Sequence, residues 1–247
     1  MSDCLKSKQK EVKIMPQSNY EDYLKTLNKI SRAITSDLYL EEILTLIVTL
    51  TANVMCAKIC NVWLLNEKNQ EFTIEATQAM SKEYLMKRKI KLNEGIVGLV
   101  AREKKPVTIV NVLKDIRYKE KKLAEKEGLI SMASVPMMVN GKVIGVLNVY
   151  TTTLYIYSKA DIDLLSIVAH QAALAIEKTE LIVKTEIIQK ELETRKKVER
   201  AKGILMRENK IDEEKAFSLL RKYSMDKRIS MKEVAEAIIL SYEIRSH

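Results

Sequence analysis

The strongest constraint on the fold is the stretch from Ser158 to Asn209, which contains no proline and only one glycine, Gly203. Ser158 and Asp161 match a capping box, so a helix is predicted to begin there and to continue without a break. At 1.5 Å per residue such a helix is about 75 Å long, which exceeds the width of a small domain. We therefore expect it to leave one folded part of the chain and to enter another.

The part of the chain before this helix has the turns of a mixed domain. All three prolines and five of the six glycines precede position 146. Asn140-Gly141 joins two β-rich runs, which is the strongest short-range signal for a hairpin. Residues 40–56 are as β-branched as a strand, but the length and apolar spacing of the run favour a helix. Further strands are predicted at 58–65, 71–79 and 107–110, and further helices at 20–35, 95–103 and 118–127.

Two shorter helices are predicted after the long one. Asp212 is a good N-cap, and two glutamates follow it in the first turn, where the helix dipole favours acidic residues. Ser230 and Glu233 form another capping box ahead of a third helix. Apolar residues recur at helical spacing in each segment, so three amphipathic segments would close around one small core.

The long helix carries two apolar stripes. The first suits packing on the preceding domain and consists of Leu165, Ala169, Ala172 and Ile176. The second has a seven-residue repeat at Leu174, Leu181 and Ile188, followed by Leu192. Such a repeat predicts a parallel dimeric coiled coil. Polar residues at 178, 185 and 195 fall near the same stripe, so a solvated single helix remains the alternative.

Composition excludes several classes of protein. The net charge of +9 favours an acidic partner such as nucleic acid. Cys4, Cys56 and Cys60 provide neither a disulfide framework nor a common zinc spacing, so we expect a reducing compartment and no metal. Residues 1–13 lack the apolar core of a signal peptide, and the longest apolar run, 43–57, is too short to span a bilayer. These features predict a cytoplasmic protein without a membrane segment.

The segment AKGILMRENKIDEEKAFSLLRKYSMDKRISMKEVAEAII, residues 201–239, resembles the ANTAR domain, the RNA-binding output module of transcription antitermination regulators. The resemblance implies binding to two adjacent hairpins with six-base loops in a nascent leader RNA, which prevents a terminator from forming. Two hairpins require two ANTAR modules and this chain has one. A homodimer through the long helix would supply the second copy.

The preceding region, about residues 20–180, resembles a GAF domain. The resemblance rests on NEGIVGLVAREKKPVTIVNV, SVPMMVNGKVIGVLNVY and SKADIDLLSIVAHQAALAIE in that order. The expected architecture is an α+β GAF sensor domain, with an antiparallel sheet flanked by helices, joined by a long helix to an all-α three-helix ANTAR domain. The predicted divisions are a flexible N-terminus (1–17), a GAF domain (18–177), a coiled-coil linker (178–193) and an ANTAR domain (194–247).

RNA binding requires positive charge for phosphates and flat groups for unstacked bases. Residues 190–247 contain 15 Lys and Arg against 11 Asp and Glu, so the position of each charge matters more than the total. The candidates for RNA contact are Ala201, Lys202, Gly203, Arg221, Lys222, Tyr223 and Arg228. Arg200 and Arg207, about one or two helical turns from Lys202, could extend its site. Each cation could instead belong to a solvated helix surface, and the spacing of Tyr223 is also that of the buried face.

Gly203 is unusual because a glycine in a helix interior costs about 1 kcal/mol relative to alanine. In the ANTAR family this run lies where the three helices meet. Gly203 and Ala201 would let another helix or an RNA loop approach closely. Helix packing and RNA approach are both compatible with the sequence.

The sensor pocket is expected between the sheet and the segments 95–103 and 111–127. Its candidate lining residues are Trp63, Asn111, Asp115, Tyr118, Met132, Ser134 and Asn148, each of which could also be a core or loop residue. The ligand is an unknown small molecule. The NKFDE signature of cyclic-nucleotide-binding GAF domains is absent from the sequence, which places a cyclic nucleotide ligand in doubt.

No residue set predicts catalysis. The sequence has no Gly-rich phosphate loop and no nucleophile with a matching base, so we expect no catalytic residue and no cofactor. His170 is interpreted as a packing residue in preference to a haem ligand, and Cys60 as a buried strand thiol. Two alternative functions stay open: a DNA-binding regulator that uses the rear helices as a helix-turn-helix, and a GAF enzyme that acts on a small molecule.

Overall fold

A computed structural model describes residues 20–79, 81 and 88–245. The chain divides into two compact units after Thr179. The predicted flexible N-terminus, residues 1–17, lies outside the described residues. Each unit is considered by itself below.

The first unit is built on a six-stranded antiparallel sheet. Its strands are β1 (Ile59–Asn66), β2 (Glu71–Thr77), β3 (Lys89–Lys91), β4 (Val107–Ile109), β5 (Ser131–Val139) and β6 (Lys142–Thr151), in the spatial order β3-β2-β1-β6-β5-β4. The helices are α1 (Tyr20–Ile34), α2 (Leu40–Val54), α3 (Gly95–Glu103) and α4 (Lys121–Glu127), together with the first part of α5 (Lys159–Asn209). The architecture confirms the expected α+β sheet flanked by helices.

Alternation along the strands gives the sheet two buried faces. On β1, Cys60 and Val62 belong to a core shared with α1, α2 and α5, whereas Ile59 and Trp63 belong to a core shared with α3 and α4. The predicted stripe Leu165, Ala169, Ala172 and Ile176 is buried in the first of these cores. Helices on both sides therefore exclude water from the centre of the sheet.

The hairpin predicted at Asn140-Gly141 is confirmed. Asn140 and Gly141 have φ angles of 48° and 78°, both in the left-handed region that a type I′ turn requires. The two strands pair on either side of this turn, with Val139 opposite Lys142. The helix predicted at 40–56 is also confirmed, as α2.

Two local predictions need correction. The helix expected at 118–127 begins only at Lys121, because Tyr118 packs its ring edge-on against Tyr150 at 6.4 Å instead of continuing into the helix. The short edge strand β3 was not predicted, since three residues carry too little pattern and its backbone pairing with β2 defines it.

Asp161 anchors the start of α5. It accepts hydrogen bonds from the Ser158 N–H at 2.7 Å and the Ser158 hydroxyl at 2.9 Å, which confirms the capping box. Its carboxylate also accepts from the hydroxyls of Tyr23 at 2.7 Å and Tyr155 at 2.8 Å, although only 3% of the residue is exposed. These bonds connect α1, the preceding loop and α5 within the first unit.

The second unit contains the rest of α5, then α6 (Glu213–Lys227) and α7 (Met231–Arg245). Asp212 caps α6 by accepting from the Lys215 N–H at 2.8 Å, and Ser230 and Glu233 form the capping box of α7. The three helices enclose a small apolar core: Val198, Ala201, Ile204, Leu220, Val234, Ala235 and Ile239. This arrangement confirms the all-α three-helix domain. In the described residues, no helix is both long and apolar enough to cross a membrane.

Candidate functional site

Ala201 and Lys202 of the predicted site face the interior of the three-helix unit. Ala201 is fully buried, and Lys202 is only 7% exposed. The Lys202 ammonium lies 2.8 Å from a carboxylate oxygen of Glu199 and 2.7 Å from one of Glu213. Hydrogen bonds from Lys202 to these two carboxylates raise the pKa of the lysine, and the same contact lowers the pKa of Glu213. Lys202 therefore joins α5 to the first turn of α6.

Gly203 has open space where a side chain would stand. A Cβ atom built on it meets no atom of the described residues within 4 Å, so packing between helices of the same chain does not require this glycine. The Arg207 Nε donates to the Gly203 carbonyl at 3.2 Å and lies along this surface. The close approach that the glycine permits is therefore available to another molecule.

Basic side chains extend along α5 on both sides of Gly203. Lys196, Arg200, Arg207 and Lys210 are exposed, and the spacing of the first three from Gly203, by three, four or seven residues, places them on the helix face of Gly203. Lys210 directly follows the end of α5, with a left-handed φ of 51°. Arg200 donates to Glu243 at 2.7 Å, and the Arg207 guanidinium lies 5.7 Å from the centre of the Tyr242 ring. We refer to these five residues as the α5 basic face.

Sequence reasoning identified only part of the α5 basic face. Arg200 and Arg207 were linked to the motif, whereas Lys196 and Lys210 were not. The signal was available for Lys196, because cations recur with helical spacing along 196–207. Lys202 belongs to the same run of cations, but the tertiary structure turns it inward.

The candidates on α6 and at its end are exposed but do not share a face. Arg221, Lys222 and Arg228 are exposed, and Arg228 closes the helix with a left-handed φ of 54°. Tyr223 is 56% exposed, so its interpretation as a core residue is wrong. Since successive residues turn by about 100°, Arg221 and Tyr223 point about 160° apart.

Tyr223 lies instead in a groove between the three helices. The groove has a volume of about 540 Å³. It is lined by Leu205, Glu208, Asn209, Leu219, Tyr223, Lys227, Ile229, Val234, Ala237, Ile238, Ser241 and Arg245. The structure thus brings Tyr223 close to Lys227 and Arg245, and not to Arg221 or Lys202.

In the first unit, three of the predicted pocket residues meet. Trp63, Tyr118 and Met132 line one cavity of about 150 Å³ between the sheet and α3. The other lining residues are Lys89, Ile90, Glu94, Gly95, Ile96, Val97, Lys119, Glu120 and Tyr150. Trp63 and Met132 are buried, and burial raises the pKa of the Tyr118 hydroxyl, so this phenol stays protonated at neutral pH.

The other four predicted pocket residues lie outside this lining. Ser134 and Asn148 are fully buried on the same sheet face, where the Ser134 hydroxyl donates to the Asn148 amide oxygen at 2.6 Å. Asn111 and Asp115 organise the loop before α4 by accepting from the N–H groups of Leu113 and Arg117. A hydrogen bond from Arg117 lowers the pKa of Asp115.

Close backbone contact positions α3 beside the cavity. A Cβ atom on Gly98 would lie 2.4 Å from the Leu92 carbonyl oxygen, so only glycine allows this approach. The side chain of Glu94, which precedes the helix, makes no capping hydrogen bond. The first turn of α3 therefore presents backbone N–H groups at the cavity wall.

His170 and Cys60, the residues considered for haem or redox chemistry, both lie outside the lining of the cavity. His170 is exposed on α5, so the interpretation as a packing histidine is wrong, and it does not line the cavity. Cys60 is fully buried on β1, as predicted, and burial raises the pKa of its thiol. No cluster of potential metal ligands occurs in the part of the chain that the structure describes.

The comparison with protein families decides what these two units are. The model of the GAF domain matches residues 38–177, which is more than half of the chain. The chain belongs to the GAF domain family. The model of the ANTAR domain matches residues 186–239, so a GAF domain is followed by an ANTAR domain, in the order that the sequence predicted.

Similar proteins support the GAF fold. Over 172 residues, 68% of this chain, the sequence is 24% identical to a methyl sulfide methyltransferase-associated sensor of Methanosarcina acetivorans, of which the match covers 17%. The GAF domain of a phosphoenolpyruvate-protein phosphotransferase from Coxiella burnetii is 20% identical, with a TM-score of 0.62 over 67% of this chain and 99% of that one. The corresponding Acinetobacter GAF domain is 28% identical, with a TM-score of 0.57 over 66% and 97%.

The two domains together define the class of protein. A GAF domain is a sensor module and an ANTAR domain is a regulatory RNA-binding module, and neither family is catalytic. The combination supports a sensor-coupled regulator of the antiterminator type. It does not favour the DNA-binding alternative.

Proposed function

We propose that the protein is a signal-responsive transcription antiterminator. Its ANTAR domain binds paired hairpins in a nascent leader RNA and so prevents the terminator hairpin from forming. The observation that carries this proposal is the open surface at Gly203 within the α5 basic face of an ANTAR domain. The proposal includes a cytoplasmic location and requires no catalytic residue.

The α5 basic face is proposed as the surface that meets the RNA backbone. Lys196, Arg200 and Arg207 supply positive charge along one side of the helix, and Lys210 adds another just beyond its end. Gly203, between them, has no side chain of its own to keep phosphate or sugar from the helix backbone, and the Arg207 guanidinium beside it can contact the phosphate. Phosphate contacts of this kind dominate RNA affinity and weaken as salt concentration rises.

The exposed α6 residues are proposed to extend the contact. Arg221, Lys222 and Arg228 would reach phosphates, and Tyr223 would stack on an unpaired loop base, because its ring is accessible from the groove. Ala201 and Lys202 are not proposed to contact RNA themselves, but to hold α5 and α6 in place. Ala201 packs in the core, and Lys202 holds α6 against α5 through Glu213.

The protein is proposed to act as a homodimer through a coiled coil before the ANTAR core. Residues 181–192 expose six large apolar side chains: Leu181, Ile182, Val183, Ile187, Ile188 and Leu192. Each is between 48% and 63% exposed. Leu181, Ile188 and Leu192 share one side of the helix, and an apolar stripe on a water-exposed helix marks a contact with another molecule. A second copy would bring two ANTAR domains to two hairpins.

The GAF domain is proposed to bind a small molecule that controls RNA binding. The cavity lined by Trp63, Tyr118 and Met132 is the candidate site. It lies between the sheet and the first turn of α3, so one side of a bound molecule would be shielded from water by the sheet. Ligand pockets of proteins are concave and mainly apolar in this way.

A mobility-shift titration tests the proposed function. The full-length protein is titrated against a leader RNA with two six-base-loop hairpins, against the same RNA with one hairpin removed, and against duplex DNA. We expect tight binding to the paired hairpins and much weaker binding to the other two. Equal affinity for duplex DNA would favour the DNA-binding regulator, and no binding to the paired hairpins would contradict the proposal.

A further inference from the structure

The volume of the GAF cavity limits the size of the ligand that it can bind. Its volume is about 150 Å³. A cavity of about this volume in another protein accommodates benzene, so the space suits a body of one small ring or a short branched chain. A nucleotide or a tetrapyrrole is several times larger.

The walls of the cavity are apolar and aromatic on the sheet side. Trp63, Met132 and Tyr150 are at most 2% exposed, and Tyr118 stands edge-on to Tyr150 with 6.4 Å between ring centres. Ile90 and Val97 complete this surface. Such walls favour a compact apolar or planar molecular body.

One wall residue has a buried donor that lacks an acceptor. The Trp63 indole Nε1–H makes no hydrogen bond to any of the described residues, and the residue is 1% exposed. An indole nitrogen can only donate, and buried donors are nearly always paired in native proteins. A ligand oxygen would satisfy this group.

The first turn of α3 supplies further donors to the same cavity. The first backbone bond of the helix runs from the Gly98 N–H to the Glu94 carbonyl, so the N–H groups of Gly95, Ile96 and Val97 precede it. All three residues line the cavity, and the Glu94 side chain leaves them uncapped. The N-terminus of a helix favours a negatively charged group.

The cavity wall contains charged residues of both signs. Lys89 and Lys119 line the cavity together with Glu94 and Glu120. Glu120 is already paired with Arg88, whose guanidinium lies 5.6 Å from the centre of the Trp63 ring. The charge of Glu120 is thus neutralised, whereas Glu94 is exposed to solvent and Lys89 is paired with Glu71 at 3.1 Å.

We infer that the GAF cavity binds a small organic carboxylate of about four to eight carbon atoms, with its apolar body against Met132, Tyr118 and Tyr150 and its carboxylate accepting from the Trp63 indole and the first turn of α3. This inference rests on the proposed sensor function and names the ligand class of that site. It also predicts that a neutral molecule of the same shape binds more weakly, since it offers no charged acceptor.

Binding can be measured without RNA, because Trp63 is the only tryptophan of the chain. The full-length protein is titrated with isobutyrate, isovalerate, benzoate and phenylacetate, each beside its primary amide. Trp63 emission and thermal unfolding are recorded. We expect at least one carboxylate to change the emission and to raise the Tm, with an affinity about tenfold or more above that of its amide.

Two variants locate the site. Trp63→Phe keeps an aromatic ring and removes the indole donor, so the Tm increase by the best carboxylate should fall by an amount that corresponds to about tenfold weaker binding. Met137→Leu makes a volume-conserving change on the opposite face of the sheet, in the core shared with α1, α2 and α5, and should bind the carboxylate as the unaltered chain does. Circular dichroism establishes that each variant is folded before it is compared.

Three outcomes would overturn the inference: no carboxylate of the panel binds, the amides bind as tightly as the acids, or Trp63→Phe retains full affinity while folded. These outcomes are separable from a failure of the proposed RNA function. Emission and Tm report the cavity alone, whereas the mobility shift reports RNA binding.

Discussion

The Lys202 ammonium donates to a carboxylate oxygen of Glu213 at 2.7 Å and thereby joins the long helix to the start of α6. A second carboxylate, that of Glu199, lies 2.8 Å away. A lysine that looked like an RNA contact in the sequence is therefore a bridge between helices. This bridge and the packing of Ala201 in the core fix the position of α5, and so of the exposed side of α5 that contains Gly203.

The Lys202→Met variant should lower the Tm of the three-helix unit, because it leaves two carboxylates without their shared cation while keeping the aliphatic stem. Lys215→Met is the matched control, since the one ion pair of Lys215 within the described residues is with Asp212, on the exposed surface. Thermal unfolding followed by circular dichroism compares the two. Equal Tm values for both variants would contradict the bridging role.

Stability of the three-helix unit should fall in acid. Hydrogen bonds from Lys202 to Glu213 and from Ser230 to Glu233 lower the pKa of each carboxyl below its ordinary value of 4.5. A lowered folded-state pKa stabilises the fold above pH 4.5, and this contribution is lost as the pH falls through the folded-state value. Thermal melts between pH 7 and pH 3 should show this decline.

Glu233→Gln tests the predicted loss of stability at low pH. It should lower the Tm at pH 7, and its melts should depend less on pH than those of the unaltered chain. An unchanged pH dependence in this variant would show that Glu233 does not contribute. Glu214→Gln, which changes a glutamate with no resolved hydrogen-bonding partner in the described residues, serves as the control for the loss of a charge.

Substitutions of Gly203 should weaken RNA binding without destabilising the fold. Gly203→Ala should stabilise the helix by up to about 1 kcal/mol, since the new methyl group meets open space. Gly203→Gln should be tolerated in the fold but should weaken RNA binding by roughly tenfold, the equivalent of about 1.4 kcal/mol of lost contact. Melting curves and mobility shifts on the same preparations measure both effects.

The control for Gly203→Gln is Ser31→Gln, which places the same side chain at an exposed position on α1 of the GAF domain. It should leave RNA affinity close to that of the unaltered chain. If Gly203→Gln binds RNA as tightly as Ser31→Gln does, the surface at Gly203 is not an RNA contact, and approach by a protein helix becomes the better reason for the glycine.

Charged substitutions in the apolar stripe of α5 should dissociate the proposed dimer into monomers. Leu181 and Ile188 lie seven residues apart on one face and are 55% and 63% exposed in the single chain. Lysine at both positions should weaken dimerisation by roughly a hundredfold or more, since each buried Leu or Ile contributes about 1.5–3 kcal/mol. Light scattering after size exclusion measures the mass, and the mobility shift should lose its preference for paired hairpins.

Val183→Lys with Ile187→Lys is the matched control for the dimer. These residues belong to the same exposed apolar segment but lie on roughly the opposite side of the helix, at about 200° and 240° from Leu181. The control pair should remain dimeric. A monomer in the unaltered chain, or equal disruption by both pairs, would contradict the coiled-coil seam.

Local sequence determined the elements whose signals lie within a few residues. The Asn140-Gly141 turn and the capping boxes at Ser158 and Ser230 formed as predicted, because their hydrogen bonds and φ angles involve neighbours in the chain. The unbroken run after Ser158 likewise became one helix, from Lys159 to Asn209. The order of GAF and ANTAR modules followed from linked motifs over many residues.

The tertiary structure alone decided which of the singled-out residues share a surface. Helical spacing gives the angle of Lys202 on α5, but its burial depends on where α6 begins and presents Glu213. The same spacing allowed Tyr223 to be a core residue, and the position of α7 left it exposed in a groove. Trp63, Tyr118 and Met132 meet because β1, β5 and the loop before α4 come together, although about seventy positions separate the first and last in sequence. A periodic pattern specifies which side of an element is apolar, whereas only packing selects the neighbour that covers that side.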